Sequence, residues 1–271
     1  MTMTVAPTTV HLGDTITVSG TLSPSSVNPT TIQLRAVRSD LTVVAKNIVT
    51  NASGIYSADL TVADMSGAWT ISATWGGGSG FGQQTRSQGI TVGGFPITFT
   101  ANLVDMISLT LIPSSTDPAV VFGGSSIAAQ IRFANWIPAI GAYYAYPADS
   151  GFQLRGGSGY WIKPQFTGSI EAQGQLWPQT QPYAVDLDTG WNQIGSVYVA
   201  PIAWNSLKVS YQGGQAVSIS TAAANGWIKN YAWKWDTATR QYVLATVGGT
   251  IDPGRGYWVR ALVDCQLILT P

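Results

Sequence analysis

Histidine, cysteine and glutamate occur once each in this chain of 271 residues, as His11, Cys265 and Glu171. One cysteine excludes an intrachain disulfide and a Cys/His zinc cluster. One histidine means that a Ser-His-Asp or Cys-His arrangement is built on His11 or not at all. His11 lies between Val10 and Leu12, ahead of the Gly13-Asp14 turn, where a half-exposed strand residue is expected. Charge is scarce as well: Lys, Arg, Asp and Glu make up 10% of the residues, against about 25% in average proteins. Thirteen cations balance thirteen anions and the pI is 6.5. With no cationic surplus to neutralise phosphates, nucleic acid is not an expected partner. Most of the twelve aspartates, Asp14, Asp40, Asp117 and Asp252 among them, sit beside turn residues and suit turns and caps. No run approaches the ~20 consecutive apolar residues of a membrane span. The N-terminal Met1-Thr2-Met3-Thr4-Val5 lacks the basic and apolar regions of a signal peptide, so Met1 reads as a native start. These absences point away from an enzyme, a metal protein or a cofactor carrier.

What is present is apolar and strand-like. Hydrophobic residues reach 45%, ample for a core. In the first ninety residues apolar and polar positions alternate: Ile16 and Val18 fall on one face, threonines and serines on the other. Similar runs cover 32–37, 41–49, 55–62, 69–75 and 88–92. Turn signals separate them at Ser23-Pro24-Ser25, Asn28-Pro29, Ser39-Asp40, 51–54 and Gly76-Gly77-Gly78. Short strands at this spacing predict a β-sandwich. The segments GDTITVSGTLSP (13–24), GIYSA (54–58) and GAWTISATW (67–75) together resemble a bacterial Ig-like domain over residues 1–93. The resemblance implies the fold and little about activity. Tyr56 and Trp69 are the large side chains expected between the sheets.

Gly93-Gly94 followed by Phe95-Pro96 marks a short joint. Beyond it, residues 94–271 contain an internal repeat, with copies of about 94–180 and 181–271. Gly159-Tyr160-Trp161-Ile162-Lys163 is answered by Gly256-Tyr257-Trp258-Val259-Arg260. In the same reading Trp136-Ile137 answers Trp227-Ile228, Tyr144-Ala145-Tyr146 answers Trp233-Lys234-Trp235, and Gly123-Gly124 answers Gly213-Gly214. The alanine-rich stretches 127–134 and 219–225 are expected as one short helix per copy, capped in the second by Ser220 or Thr221. The runs 231–235, 241–245, 257–261 and 265–269 read as strands. The fold class is therefore mainly β: an Ig-like sandwich followed by a pseudo-symmetric two-repeat domain. In the second copy, Gly190-Trp191-Asn192-Gln193-Ile194-Gly195 and Pro253-Gly254-Arg255-Gly256-Tyr257-Trp258-Val259 are similar to a module of bacterial, archaeal and phage surface proteins. Its landmarks are GWNxIG and PGxGYWV. The first copy departs from them, with Met106-Ile107-Ser108-Leu109 in place of GWNxIG and no PG before its GYW. Landmarks that build a ligand site would leave the first copy without one; landmarks that serve packing would make the loss mild.

Nine of the eleven tryptophans lie beyond residue 93. Flat rings match the apolar faces of sugars. Tyr231, Trp233 and Trp235 alternate on one face of a strand, as a glycan platform or as a core stripe between repeats. Trp177 and Trp204, near Pro178 and Pro201, are the better candidates for exposed contacts. Asp186-Leu187-Asp188-Thr189-Gly190 has part of a calcium-loop pattern without its glutamate, and a solvated turn is favoured. The glycine runs 76–82 and 155–159 lack phosphate-loop spacing and read as hairpin tips or flexible loops. Cys265 reads as a buried, inert thiol. The function expected from these features is that of a non-enzymatic virion structural protein of a tailed phage, a capsid decoration or tail accessory protein at the virion surface. No metal or cofactor is expected. Its partners would be capsid or tail proteins and host-surface glycans, with several copies per particle and no membrane. The alternative is a secreted or cell-surface adhesion or glycan-binding module.

Overall fold

The structure, a computed structural model, describes the chain except residues 25–26, 39–42, 62–65, 79 and 246–247 and the Ser125 side chain. The Ser39-Asp40 turn, Ser25, the strand ends at 41–42 and 62, Ser79 and Thr246-Val247 thus lie outside the described residues. The chain divides into two compact units, Met1–Gly94 and Phe95–Pro271.

The first unit is a β-sandwich. Strands β1 (Thr4–Ala6), β3 (Thr15–Thr21) and β6 (Ile55–Thr61) form one sheet in the order β1-β3-β6. The second sheet has the order β2-β8-β7-β4-β5, from β2 (Thr9–His11), β4 (Thr31–Arg38), β5 (Val43–Val49), β7 (Gly67–Trp75) and β8 (Gln84–Gly93). Period-two patterning decides which faces meet: Ile16, Val18, Ile32, Leu34 and Ile71 are fully buried, while Thr15, Thr17 and Thr21 are exposed. Each such side chain contributes about 1.5–3 kcal/mol by leaving water. Tyr56 and Trp69 fill the space between the sheets, and the Tyr56 hydroxyl donates to the Thr2 carbonyl at 2.5 Å. Gly20 is required there, because a Cβ would stand 2.2 Å from Thr2 O and 2.5 Å from Tyr56 Oη. His11 ends β2 at the turn, where its amide donates to Asp14 Oδ2 at 2.8 Å.

In the second unit, the first copy runs β9 (Phe95–Phe99), β10 (Asp105–Ser108), β11 (Ile112–Pro113), α1 (Pro118–Val121), α2 (Ser125–Ala128), β12 (Ile131–Ile137), β13 (Ala142–Tyr146), β14 (Gly159–Pro164), β15 (Gly168–Ala172) and β16 (Gly174–Gln175). The second runs β17 (Tyr183–Leu187), β18 (Gly190–Gly195), β19 (Ile202–Ala203), β20 (Lys208–Ser210), β21 (Val217–Ser218), α3 (Ile219–Ala224), β22 (Ile228–Asp236), β23 (Gln241–Ala245), β24 (Thr250–Ile251), β25 (Gly256–Ala261) and β26 (Cys265–Leu269). Each copy has a four-stranded antiparallel sheet of the same plan, β10-β14-β12-β13 in one and β18-β25-β22-β23 in the other.

Strand pairing corrects the repeat register expected from the sequence. Trp136 lies opposite Tyr143 and Trp235 opposite Tyr242, so Trp136 answers Trp235, not Trp227. Ile131 answers Ile228 and Ala134 answers Trp233. Ile131 is the counterpart of Ile228, so Trp227 stands where the first copy has Gln130, and a bulge in β22 between Ile228 and Ala232 then lengthens the run up to Trp235 without changing the sheet order. The helices also differ from expectation. The first copy has two, α1 and α2, and α2 stops at Ala128; residues 131–137 form strand, because Ile131 and Phe133 alternate into the core. In the second copy the cap is Ser218, whose Oγ accepts from Thr221 N at 3.2 Å.

One face of each sheet covers its own copy's core. In the second copy Ile194, Ile228, Ala232, Tyr257 and Val259 pack with Ile219 and Ala222 of α3. In the first, Phe133 stacks on Phe122 at 5.4 Å. The copies join about a pseudo-twofold axis written in matched hydrogen bonds: Ser108 N donates to Gly254 O at 3.1 Å, and Gly195 N to Gly157 O at 2.8 Å. The buried tyrosines match too. Tyr160 Oη accepts from Arg155 N at 2.6 Å, and Tyr257 Oη from Asp252 N at 2.9 Å. Burial pushes the Tyr160 pKa up to about 12 and that of Tyr257 further in the same direction.

Candidate functional site

With Tyr257 and Val259 turned into the core, strand alternation turns Trp258 to the opposite face of the second sheet. There Trp258 lies opposite Gln193 on β18 and Trp233 on β22. Trp191 meets it edge to face, with centroids 6.4 Å apart and planes at 84°. From the first copy, Trp136 approaches Trp258 at 6.3 Å and 69°, and Tyr143 packs on Trp136 at 5.1 Å. Trp136 is held in place by its own amide, which donates to Gln193 Oε1 at 2.7 Å. The result is a groove of about 450 Å³ lined by Trp136, Tyr143, Trp191, Trp233, Tyr242 and Trp258.

Among the described residues no carboxylate, amine, imidazole or thiol lines this groove. Its ionisable side chains are the phenols of Tyr143 and Tyr242, which are 43% and 47% exposed. Burial of its surroundings raises the Tyr242 pKa, and the Trp258 N–H beside it offsets part of that rise. Trp258 Nε1 is itself buried, and its approach to the phenol falls short of a hydrogen bond. Arg260 lies over the Trp191 ring, 5.8 Å from its centroid. Trp136 also walls a neighbouring polar cleft of about 390 Å³ that carries Asn135, Gln153, Asp186 and Asp188.

The pseudo-twofold axis supplies a second, equivalent position. Register places Val104 where the second copy has Trp191 and Ala134 where it has Trp233. What remains there is a smaller groove of about 220 Å³ lined by Val104, Ala134, Ala145, Trp161 and Lys163 among others. Asp105 is occupied between the copies: its carboxylate accepts from Arg255 Nη1 at 2.9 Å and from Thr237 Oγ1 at 2.7 Å.

Of the aromatic residues singled out from the sequence, Trp233 lines the main groove. Trp235 lies on the same strand face but donates from Nε1 to Val104 O at 3.1 Å and packs against Trp161 at 5.2 Å, joining the copies. Tyr231 stands half-buried beside Trp233, with centroids 6.2 Å apart. Trp204 is not an exposed contact. It is 1% exposed, in the turn Trp204–Ser206, and its Nε1 donates to Asn230 Oδ1 at 3.0 Å. Trp177 is half-buried against the second core, with Nε1 bonded to Gln181 O and its ring edge-on to Tyr183. Proximity to proline was thus a poor sign of exposure for either. Trp136, Tyr143, Trp191, Tyr242 and Trp258 escaped sequence reasoning as a set, although the tryptophan of GWNxIG and that of PGxGYWV were both in view.

The glycine run 155–159 is also corrected. A Cβ on Gly157 would meet Tyr183 and Val185 side chains at 2.7 Å, and one on Gly159 would stand 2.8 Å from Ile194 O. It is a packed joint between copies. Gly78 and Phe81, by contrast, close a tight hairpin with two backbone bonds of 3.0 Å. Asp186 accepts from Gln266 Nε2 at 2.9 Å on the surface, and Cys265 is buried, which raises its pKa to about 11. Among the described residues no three His, Cys, Asp or Glu side chains gather as a metal site, and no helix is long and apolar enough to cross a membrane.

No family model matches the chain, and no curated protein matches it. Among solved structures it is similar to trypsin-activated alpha-2-macroglobulin from Escherichia coli, at 10% identity over 77% of this chain, with a TM-score of 0.30. The chain spans 20% of that protein's length, and a likeness at this level carries no functional argument.

Proposed function

We propose that this chain is a non-enzymatic attachment protein of the virion surface of a tailed phage, in which the sandwich and the duplicated unit act as rigid display modules. The observation that carries the reading is the lining of the groove between the copies: six aromatic side chains and, among the described residues, no carboxylate or imidazole to move a proton. Such a surface holds a ligand by contact and does not activate it. The scarcity of charge supports attachment to capsid or tail proteins through apolar and backbone contacts. The test is co-sedimentation of the protein with purified particles at low salt and at ~0.5 M salt, where exposed charge pairs are screened. The expected outcome is retention at both. Release at high salt, or recovery only from secreted or cell-envelope fractions, would count against it.

A further inference from the structure

We propose that the groove of Trp136, Tyr143, Trp191, Trp233, Tyr242 and Trp258 is a stacking site for a neutral oligosaccharide, and that each chain carries one such site although its fold offers two equivalent positions. This deepens the attachment reading and rests on it.

The internal comparison is the main argument. The pseudo-twofold axis builds the same backbone twice, yet Trp191 and Trp233 in one position correspond to Val104 and Ala134 in the other. The first copy keeps its sheet order, its core and its share of the joint without those two rings. Packing of the repeat therefore does not call for them. Both stand half-buried, with part of their surface open to solvent in the groove. Exposed indole surface that the fold does not need is the mark of a contact surface.

The chemistry of the walls selects the ligand. Trp191 and Trp258 meet at 84°, so one ring's face forms a floor beside the other's wall, a corner into which a pyranose ring can lay its C–H face. A cationic ligand is disfavoured in the groove itself: Arg260 already covers one side of Trp191, and the nearby carboxylates, Asp186 and Asp188, line the neighbouring cleft together with Arg155. A proline-rich peptide would also find aromatic walls. It would bring few donors, however, to the polar cleft on the other side of Trp136, where Asn135, Gln153, Asp186 and Asp188 supply acceptors. A sugar chain has apolar ring faces and hydroxyl edges, and it satisfies both surfaces.

The experiment is titration of the full chain with neutral β-linked tetramers of glucose and of N-acetylglucosamine, followed by calorimetry and by the indole N–H signals. Saturable binding of at least one of the two at one site per chain is expected. Trp191→Ala and Trp233→Ala should each weaken it tenfold or more, whereas Trp177→Ala should not. If Trp191→Ala melts early, Trp191→Phe provides the second reading, with weakened but measurable binding. No binding of either tetramer would overturn the proposal. So would two equal sites, or saturable binding of a proline decapeptide or of choline that Trp191→Ala abolishes. Co-sedimentation of the unaltered chain is read beside the titration: retention on particles without binding of either tetramer would overturn the sugar site alone, and release from particles with tetramer binding intact would overturn the attachment reading alone.

Discussion

The two copies of the duplicated unit share a sheet order, a pair of matched hydrogen bonds across the axis and a buried tyrosine bonded to the amide five residues upstream. They differ in the side chains on the solvent side of the joint, where Trp191 and Trp233 stand against Val104 and Ala134. What is common is what a half-domain needs to cover its apolar face. What differs is free of that demand. On the solvent side of the joint a duplication thus acts as its own control: residues repeated in both copies, such as Gly157 and Gly254, belong to the fold, and a half-exposed side chain found in one copy is one the shared fold does not require.

The largest effect expected separates a structural tryptophan from a groove tryptophan. Trp204→Ala should cost about 3–5 kcal/mol in a denaturant titration, as for other large buried side chains. Trp191→Ala should cost about 0.5–1.5 kcal/mol, the worth of its edge-to-face contact. Equal losses would erase the distinction. Next comes the axis itself. A Cβ on Gly195 would fall 1.9 Å from Ser108 Cβ, the residue that answers it in the other copy. Gly195→Ser should destabilise by about 1–3 kcal/mol through overpacking. Adding Ser108→Gly, which exchanges the two residues, should restore most of the loss, and a purely additive double mutant would argue against pairing across the axis.

The last effect, confined to alkaline pH, tests whether the matched tyrosines behave alike. Tyr160 ionises with more difficulty in the folded chain than its ordinary pKa of 10.0, because burial disfavours the phenolate. The folded state therefore holds its proton more tightly. The corresponding stability is present below pH ~10 and is lost as pH climbs from ~10 to ~12, at about 1.4 kcal/mol per pH unit. Tyr257 is displaced in the same direction. Tyr160→Phe should flatten part of the alkaline fall in melting temperature, on top of a pH-independent loss of about 1–3 kcal/mol from the Arg155 N–H that it leaves without an acceptor. An unchanged alkaline limb would show that these phenols do not control it.

Much of the architecture was legible because period-two alternation leaves a strong trace. Ile16 and Val18 mark a half-buried strand in any context, and the runs 241–245 and 265–269 coincide with β23 and β26. The helix expected over 127–134 was not legible, because alanine-rich composition favours helix locally while Ile131 and Phe133 gain more by alternating into a sheet. The repeat register failed for another reason: Trp136-Ile137 ends its strand while Trp227-Ile228 begins one, so matching the two Trp-Ile pairs by residue type led Trp136 to the wrong partner. In the site, Trp233 was recognised from its stripe. Its companions were not, since Trp136 and Tyr143 come from one copy and Trp191, Tyr242 and Trp258 from the other.

By itself, the order of amino acids determined the mainly β character, the joint near Gly93-Gly94, the duplication and the poverty of proton-transferring groups, since each is a matter of composition or local period. Only the tertiary structure decided which rings are core and which line a groove. Whether an indole is covered depends on the residues that the fold brings against it from elsewhere in the chain, which for Trp204 come from its own copy. The sequence records that a tryptophan is present at 204 and at 191; the fold alone hides the first and leaves the second within reach of a ligand.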